Sequence, residues 1–226
     1  MVTVRTFELP EPRYSEVCRY AGADPDAPSS RQAVERVTEI CRGFIRAATC
    51  SIRLPVTLRD GGADFPFGRV DSRALTRNLA GCREVVLFAA TVGLGIDRLV
   101  ERYRVRELTT SVFINALGSE RVECLCRLFC RETEEAERAA GRFTRPRFSP
   151  GYGDFPLALQ RPVLTFLDAE RKIGITLNES LLMSPSKSVT AIVGVGEERC
   201  RAALGCCSFC DREDCPERKA PPAGEN

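Results

Sequence analysis

This 226-residue sequence predicts an α+β fold: a mixed or antiparallel twisted sheet with flanking helices, followed by a short Cys-rich C-terminal tail. Two apolar runs, EVVLFAATVG (84–93) and SVTAIVGVG (188–196), read as buried strands. A helical stretch far longer than any other, 108–140, stands between them. Helices and strands otherwise follow one another without regular βα alternation and without an internal repeat.

Taken in order, RYSEVCRY (13–20) forms a short helix. Ser29-Ser30 caps a longer one over 31–48, with Ala33, Val34, Val37, Ile40, Cys41, Phe44 and Ile45 at helical spacing. Alternation in CSIRLPVTL (50–58) predicts a strand, made edge-like by Pro55. RDGGADFPFGR (59–69) reads as a turn-rich piece, and Asp71 or Ser72 caps a helix through Leu79. After the 84–93 strand, Gly95 leads into a helix over 96–104. The 108–140 helix presents Ile114, Leu117, Val122, Leu125, Leu128 and Phe129 inward, and its Gly118-Ser119 pair allows another element to approach closely. Glu134 four residues before Arg138 suits a solvated face. Residues 157–172 read as one helix with Pro162 in its first turn, then IGITL (173–177) and LLMS (181–184) as short extended pieces. The division is one domain over 1–196, helical to about 140 and motif-bearing from 141. A Cys-rich segment over 197–216 and a disordered tail over 217–226 follow it.

Composition excludes several classes. Lys and Arg number 33 against 31 Asp and Glu, so there is no concentrated basic face of the kind nucleic acid requires. The longest apolar run, 85–96, is broken by glycines and too short to span a bilayer. No basic-then-apolar signal pattern opens the chain, which predicts a cytoplasmic protein. With no His at all, Ser-His and Cys-His nucleophile pairs are excluded, and so is any imidazole ligand to a metal, to cobalamin or to haem.

Four local features invite a chemical reading. The first is RFSPGYGDFP (147–156), rigid and aromatic. Pro150-Gly151 fits a type II turn, Arg147 could hold a carboxylate bidentately, and Tyr152 could show its ring to a cation. These parts suit a zwitterionic ligand with a positive centre; they equally suit a structural turn whose rings pack in the core. Second, Gly194-Val195-Gly196 ends a strand, but Arg199 stands where a dinucleotide fingerprint has its third glycine, so a strand ending in a turn is the better reading. Third, Cys207-x2-Cys210-x4-Cys215 gathers three thiols in nine residues, with Cys206 and Cys200 nearby. Soft ligands at that spacing suit an iron–sulfur cluster or Zn²⁺, with Cys206 or Cys200 as candidate fourth ligand; free or redox-active thiols are the alternative. The remaining cysteines fall in helices and strands and read as core packing. Fourth, Glu123 lies beside the inner stripe of the long helix, where an exposed pair with Arg127 is the plain reading.

Read together, Arg147-x3-Gly151-Tyr152 and the later series Ile173-Gly174-Ile175-x-Leu177-x-Glu179-Ser180-x2-Met183-x-Pro185-x2-Ser188-Val189 resemble the activation domain of cobalamin-dependent methionine synthase. AATVGLGID (89–97) and NALGSERVE (115–123) resemble stand-alone, separate-chain relatives of that domain, so the likeness covers most of 1–196, more weakly in its first half. The resemblance implies S-adenosylmethionine as ligand. Arg147 would contact it, with Ser149 and Gly151 contributing backbone, and Tyr152 would lie toward the reacting methyl and the corrin. Glu123 would approach from the preceding helix, and Val193 and Gly194 by backbone. It also implies reductive methylation of cobalamin, a reaction that needs positioning more than a protein acid or base.

The family's full-length enzyme carries its cobalamin through an Asp-x-His-x-x-Gly motif, which a chain without His does not contain. The expected partners are therefore the cobalamin-binding domain of a methionine synthase and an electron donor such as a flavodoxin or ferredoxin. The acidic residue at the start of the family's domain has no match here. Two rival readings stand beside this one: a redox or metal accessory protein built on the Cys cluster, and an activator of another corrinoid methyltransferase.

Overall fold

The computed structural model describes residues 1–198. Its centre is a five-stranded sheet in the order β1-β2-β6-β10-β7, comprising Thr3–Thr6, Ala48–Pro55, Cys82–Thr91, Ser188–Gly196 and Phe143–Thr144. Every neighbouring pair is antiparallel. The two long apolar runs lie side by side at its middle, with Leu87 opposite Ile192 and Val86 opposite Val193.

Both faces of this sheet are covered, which explains why β6 and β10 are apolar at nearly every position rather than at alternate ones. Val86, Phe88 and Ala90 of β6 and Ala191, Val193 and Val195 of β10 face one core. That core is closed by α1 (Tyr14–Ala21), α2 (Pro28–Cys41), α4 (Gly95–Arg106) and α5 (Leu108–Ala139). Val85, Leu87, Ala89 and Ile192 face the other. It is closed by α3 (Arg73–Asn78), α6 (Gln160–Leu167), α7 (Ala169–Ile173) and a small second sheet. Gly118 sits where α5 is crossed: a Cβ there would lie 2.6 Å from Ile96 Cγ2 and 3.1 Å from Lys187 Cγ.

Several elements differ from the sequence expectation. Helix α2 begins at Pro28, not after Ser29-Ser30, because proline's fixed φ and missing N–H suit a first turn. It ends at Cys41, since the chain must turn to pair Ala48 with both Thr6 and Thr91. Strand β2 is not an edge: β1 flanks its first half, and Pro55 is its last residue, beyond that pairing. The piece 59–69 is strand as well as turn. Here β3 (Thr57–Arg59), β4 (Gly62–Phe65) and β5 (Gly68–Asp71) form a three-stranded sheet. Asp60 and Gly61 carry φ of 45° and 74°, the two positive values that a type I′ hairpin turn requires. The expected 157–172 helix is interrupted at Asp168, which adopts φ 53° between α6 and α7, while Pro162 does fall in the first turn of α6. The short pieces near 173–184 become β8 (Thr176–Leu177) and β9 (Met183–Ser184), paired antiparallel. Ser72 caps α3 as expected, its Oγ accepting from the Leu75 N–H at 3.0 Å.

Candidate functional site

The site is built where the chain leaving α5 runs back along the free edge of β10. Phe143 and Thr144 pair with Gly196 and Val195, and the Arg145 N–H donates to the Gly194 carbonyl at 2.8 Å. Phe148 then exchanges two 2.8 Å bonds with Ile192. Three steps on the edge segment thus oppose two on β10, and Pro146, which has no N–H to give, occupies the bulge. The extra residue breaks the alternation of faces. Arg145 and Phe148 both turn toward the α3 side, while Arg147 between them turns to α5.

On α5, Glu123, Cys126 and Cys130 follow one another at helical spacing beneath Arg147. Arg147 Nη2 donates to Glu123 Oε2 at 2.6 Å, with the two side chains 23% and 26% exposed. Arg127, the partner expected for Glu123, reaches instead for the buried Glu120 at 3.2 Å. Arg147 Nη1 is buried and has no hydrogen-bond partner among the described residues. Burial alone would lower the Arg147 pKa, but the Glu123 carboxylate opposes it by charge and by hydrogen bond, and the guanidinium stays charged with its pKa raised. Burial pushes the Cys126 thiol up to about 12 and the Cys130 thiol up to about 11, so both are neutral thiols at neutral pH. Arg147, both thiols and Val193 line an open groove of about 740 Å³, which Arg131, Glu134 and Arg138 further along α5 and Arg142 also line.

The loop that follows has the predicted turn. The Ser149 carbonyl accepts from the Tyr152 N–H at 3.1 Å across Pro150-Gly151, and Gly151 has φ 92°. The Gly151 N–H donates to the Phe155 carbonyl at 2.8 Å, so the N–H groups of both Gly151 and Tyr152 are used within the loop. Phe148 and Phe155 are fully buried, their rings stacked at 6.3 Å. Tyr152 meets Phe148 edge-on at 6.1 Å and remains 41% exposed.

Of the residues picked out from sequence, Arg147, Glu123 and Val193 come together. Ser149, Gly151 and Tyr152 follow in the loop on the α3 side and do not line the groove. Gly194 lies on β10 with its backbone carbonyl engaged by Arg145. Its missing side chain is explained there: a Cβ would meet Leu79 Cδ2 at 2.7 Å, Cys82 Sγ at 2.8 Å and Arg145 Cγ at 3.0 Å. The Gly-x-Gly pattern therefore leaves room for an arginine lying across the sheet. Sequence reading assigned Cys126 and Cys130 to core packing and missed their place beside Arg147, although their i, i+3, i+7 spacing from Glu123 was the available signal. The candidate ligands Cys206, Cys207, Cys210 and Cys215, with Cys200, lie outside the described residues. Among the described residues no helix is long and apolar enough to cross a membrane, and no group of three or more metal-ligating side chains occurs.

Comparison with known proteins gives two findings. A family model described as "Vitamin B12 dependent methionine synthase, activation domain" matches residues 77–219, more than half of the chain and through the Cys-rich segment. The fold is similar to that in "Crystal Structure of the MetH Reactivation Domain bound to AdoHcy". The TM-score is 0.63, with 13% sequence identity over 86% of this chain and 78% of that one. No curated protein matches. The α+β fold, the antiparallel sheet and the family match agree, and the chain belongs to the activation-domain family of vitamin B12-dependent methionine synthase.

Proposed function

We propose that this protein is a stand-alone activation subunit that binds S-adenosylmethionine in the groove at Arg147 and docks onto a cobalamin-binding partner. The observation that carries the reading is the Arg147 guanidinium, with one nitrogen on Glu123 and the other buried beside an open groove with no hydrogen-bond partner among the described residues. A buried donor left unmet costs about 1–3 kcal/mol, and a ligand carboxylate placed there would satisfy it. Glu123 is then available to accept from ligand donors, and neutral thiols on Cys126 and Cys130 keep a nucleophilic thiolate away from a methyl sulfonium. The exposed ring of Tyr152 faces outward from the loop on the adjoining face, where a docked partner could meet it. The structural neighbour's AdoHcy, the demethylated form of S-adenosylmethionine, supports the same ligand class.

When bound, S-adenosylmethionine would supply the methyl group for reductive methylation of the partner's cobalamin, with the electron from a donor such as a flavodoxin or ferredoxin. Arg147 and Glu123 would hold and orient the amino-acid end, and the protein would contribute position rather than acid–base chemistry. On its spacing, the segment carrying Cys206, Cys207, Cys210 and Cys215 is proposed to bind a metal or cluster.

Calorimetry with S-adenosylmethionine tests the reading. The natural chain should bind, and Arg147→Ala should lose roughly 10- to 100-fold in affinity, the worth of a charge-assisted hydrogen-bond pair. Absence of binding, or binding indifferent to Arg147, would overturn it.

A further inference from the structure

The loop that carries Arg147 and Tyr152 is tied at both ends to one short helix laid down much earlier in the chain. Beyond the loop's apex, the Asp154 carboxylate takes three hydrogen bonds from the start of α3. Its Oδ1 accepts from the Ser72 hydroxyl and from the Ala74 N–H at 3.1 Å, and its Oδ2 accepts from the Arg73 N–H at 2.7 Å. A helix leaves its first N–H groups without internal partners, and here a side chain from 80 residues away meets two of them. The third is met by Ser72, itself held by Asp154. At the other end of α3, Asn78 Nδ2 donates to the Pro146 carbonyl at 3.1 Å, next to Arg147. Between these ties, Gly153 adopts φ 54° close over Ala74, where a Cβ would lie 3.1 Å from the Ala74 Cβ. Helix α3 is itself fixed, since Ala74, Leu75 and Asn78 are buried in the second core.

We propose that α3 is the splint on which the ligand loop is set, with Asp154 and Asn78 as positioning residues that hold Tyr152 and Arg147 in place without touching the ligand. This rests on the ligand reading given above. The two ties bracket the loop: Pro146 and Asp154 stand just outside the 147–152 stretch. Inside the bracket the loop's own turn bonds and the Phe148 bridge to β10 order the backbone, Arg147 adds its ion pair with Glu123, and the brackets set where the loop lies on α3. Substitution of Asp154 leaves the buried rings of Phe148 and Phe155 in place and removes one bracket alone.

Hydrogen–deuterium exchange on the full chain, compared with Asp154→Asn and Asp154→Ala, tests this without any ligand. The amides of Gly151, Tyr152 and Phe155, and reciprocally those of 73–75, should exchange about tenfold faster, while β6 and β10 stay unchanged. Asn78→Ala should loosen Phe148 instead. Calorimetry with S-adenosylmethionine should then show about tenfold weaker binding for Asn78→Ala, whose tie adjoins Arg147. Unchanged exchange in the loop overturns the proposal, as does exchange that rises equally in β6 and β10, which would make Asp154 a residue of general stability. Faster loop exchange with unchanged affinity overturns the positioning role. If the natural chain binds no S-adenosylmethionine, the ligand reading fails by itself, and the exchange comparison still decides whether α3 holds the loop.

Discussion

Replacing Gly194 by alanine places a methyl group where the structure has no room. Its carbon would stand 2.7 Å from Leu79 Cδ2, 2.8 Å from Cys82 Sγ and 3.0 Å from Arg145 Cγ. Ordinary carbon contacts are about 3.5–4.0 Å, so the neighbours must retreat by roughly 0.5–1.3 Å. Leu79 is fully buried and Cys82 is 6% exposed, both within the second core, while Arg145, also 6% exposed, borders the groove. Arg145 is further fixed by bonds from Nη1 to the Glu198 carbonyl at 2.8 Å and from Nη2 to the Ala80 carbonyl at 3.1 Å. Overpacking of this kind costs about 1–3 kcal/mol, and replacing a strand glycine by alanine returns about 0.5–1 kcal/mol of backbone entropy. The expected net loss is about 1–2 kcal/mol, or a Tm lower by roughly 2–8 °C in a chain of this size. Thermal unfolding followed by circular dichroism measures it, with Gly43→Ala as the control. A Cβ added at Gly43 would have nothing within 4 Å, and the residue has no positive φ, so that change should stay within about 0.5 kcal/mol. If Gly194→Ala unfolds no earlier than Gly43→Ala, the explanation of the Gly-x-Gly pattern as a lane for Arg145 is wrong.

Two further outcomes are expected. Cys130 lines the groove, yet its thiol is raised from 9.0 to about 11, which leaves about a hundredfold less thiolate at neutral pH than an unperturbed thiol. Peptide-resolved iodoacetamide labelling should therefore be slow at pH 7 and accelerate as the pH rises toward 11; fast labelling at neutral pH would refute the burial argument. Glu137, 4% exposed, accepts from both Arg53 of β2 and Arg142 beyond α5. Glu137→Ala should cost about 1–3 kcal/mol in denaturant unfolding, below the range for breaking a fully buried pair because both arginines reach water, and an unchanged midpoint would show that the tie carries no stability.

Much of the framework was legible because it is written locally. The runs at 84–93 and 188–196 are strands because long, bounded, β-branched apolar stretches have few other solutions, and they do become β6 and β10. The expected 108–140 helix is α5 to within a residue, and Pro150-Gly151 makes its turn because proline and glycine impose the two backbone conformations that turn needs. The Asp60-Gly61 hairpin is equally local, an Asp-Gly signal set inside a stretch dense in other turn residues.

The site itself was only half visible. The residues 147–152 and Glu123 could be picked out, the latter through family resemblance, but spacing on α5 offered Arg127 as its partner. The structure pairs Glu123 with Arg147, 24 positions away, because the bulge at Pro146 rotates Arg147 onto the α5 face. Asp154 had no evident task in the sequence; its task lies 82 positions away, at Ser72. Sequence alone determined the two central strands, the long helix and the Pro150-Gly151 turn, since periodicity and turn chemistry act over a few residues. Which side chains face one another across those elements was decided by strand register, the bulge and the packing of two cores on one sheet, and these are properties of the assembled chain.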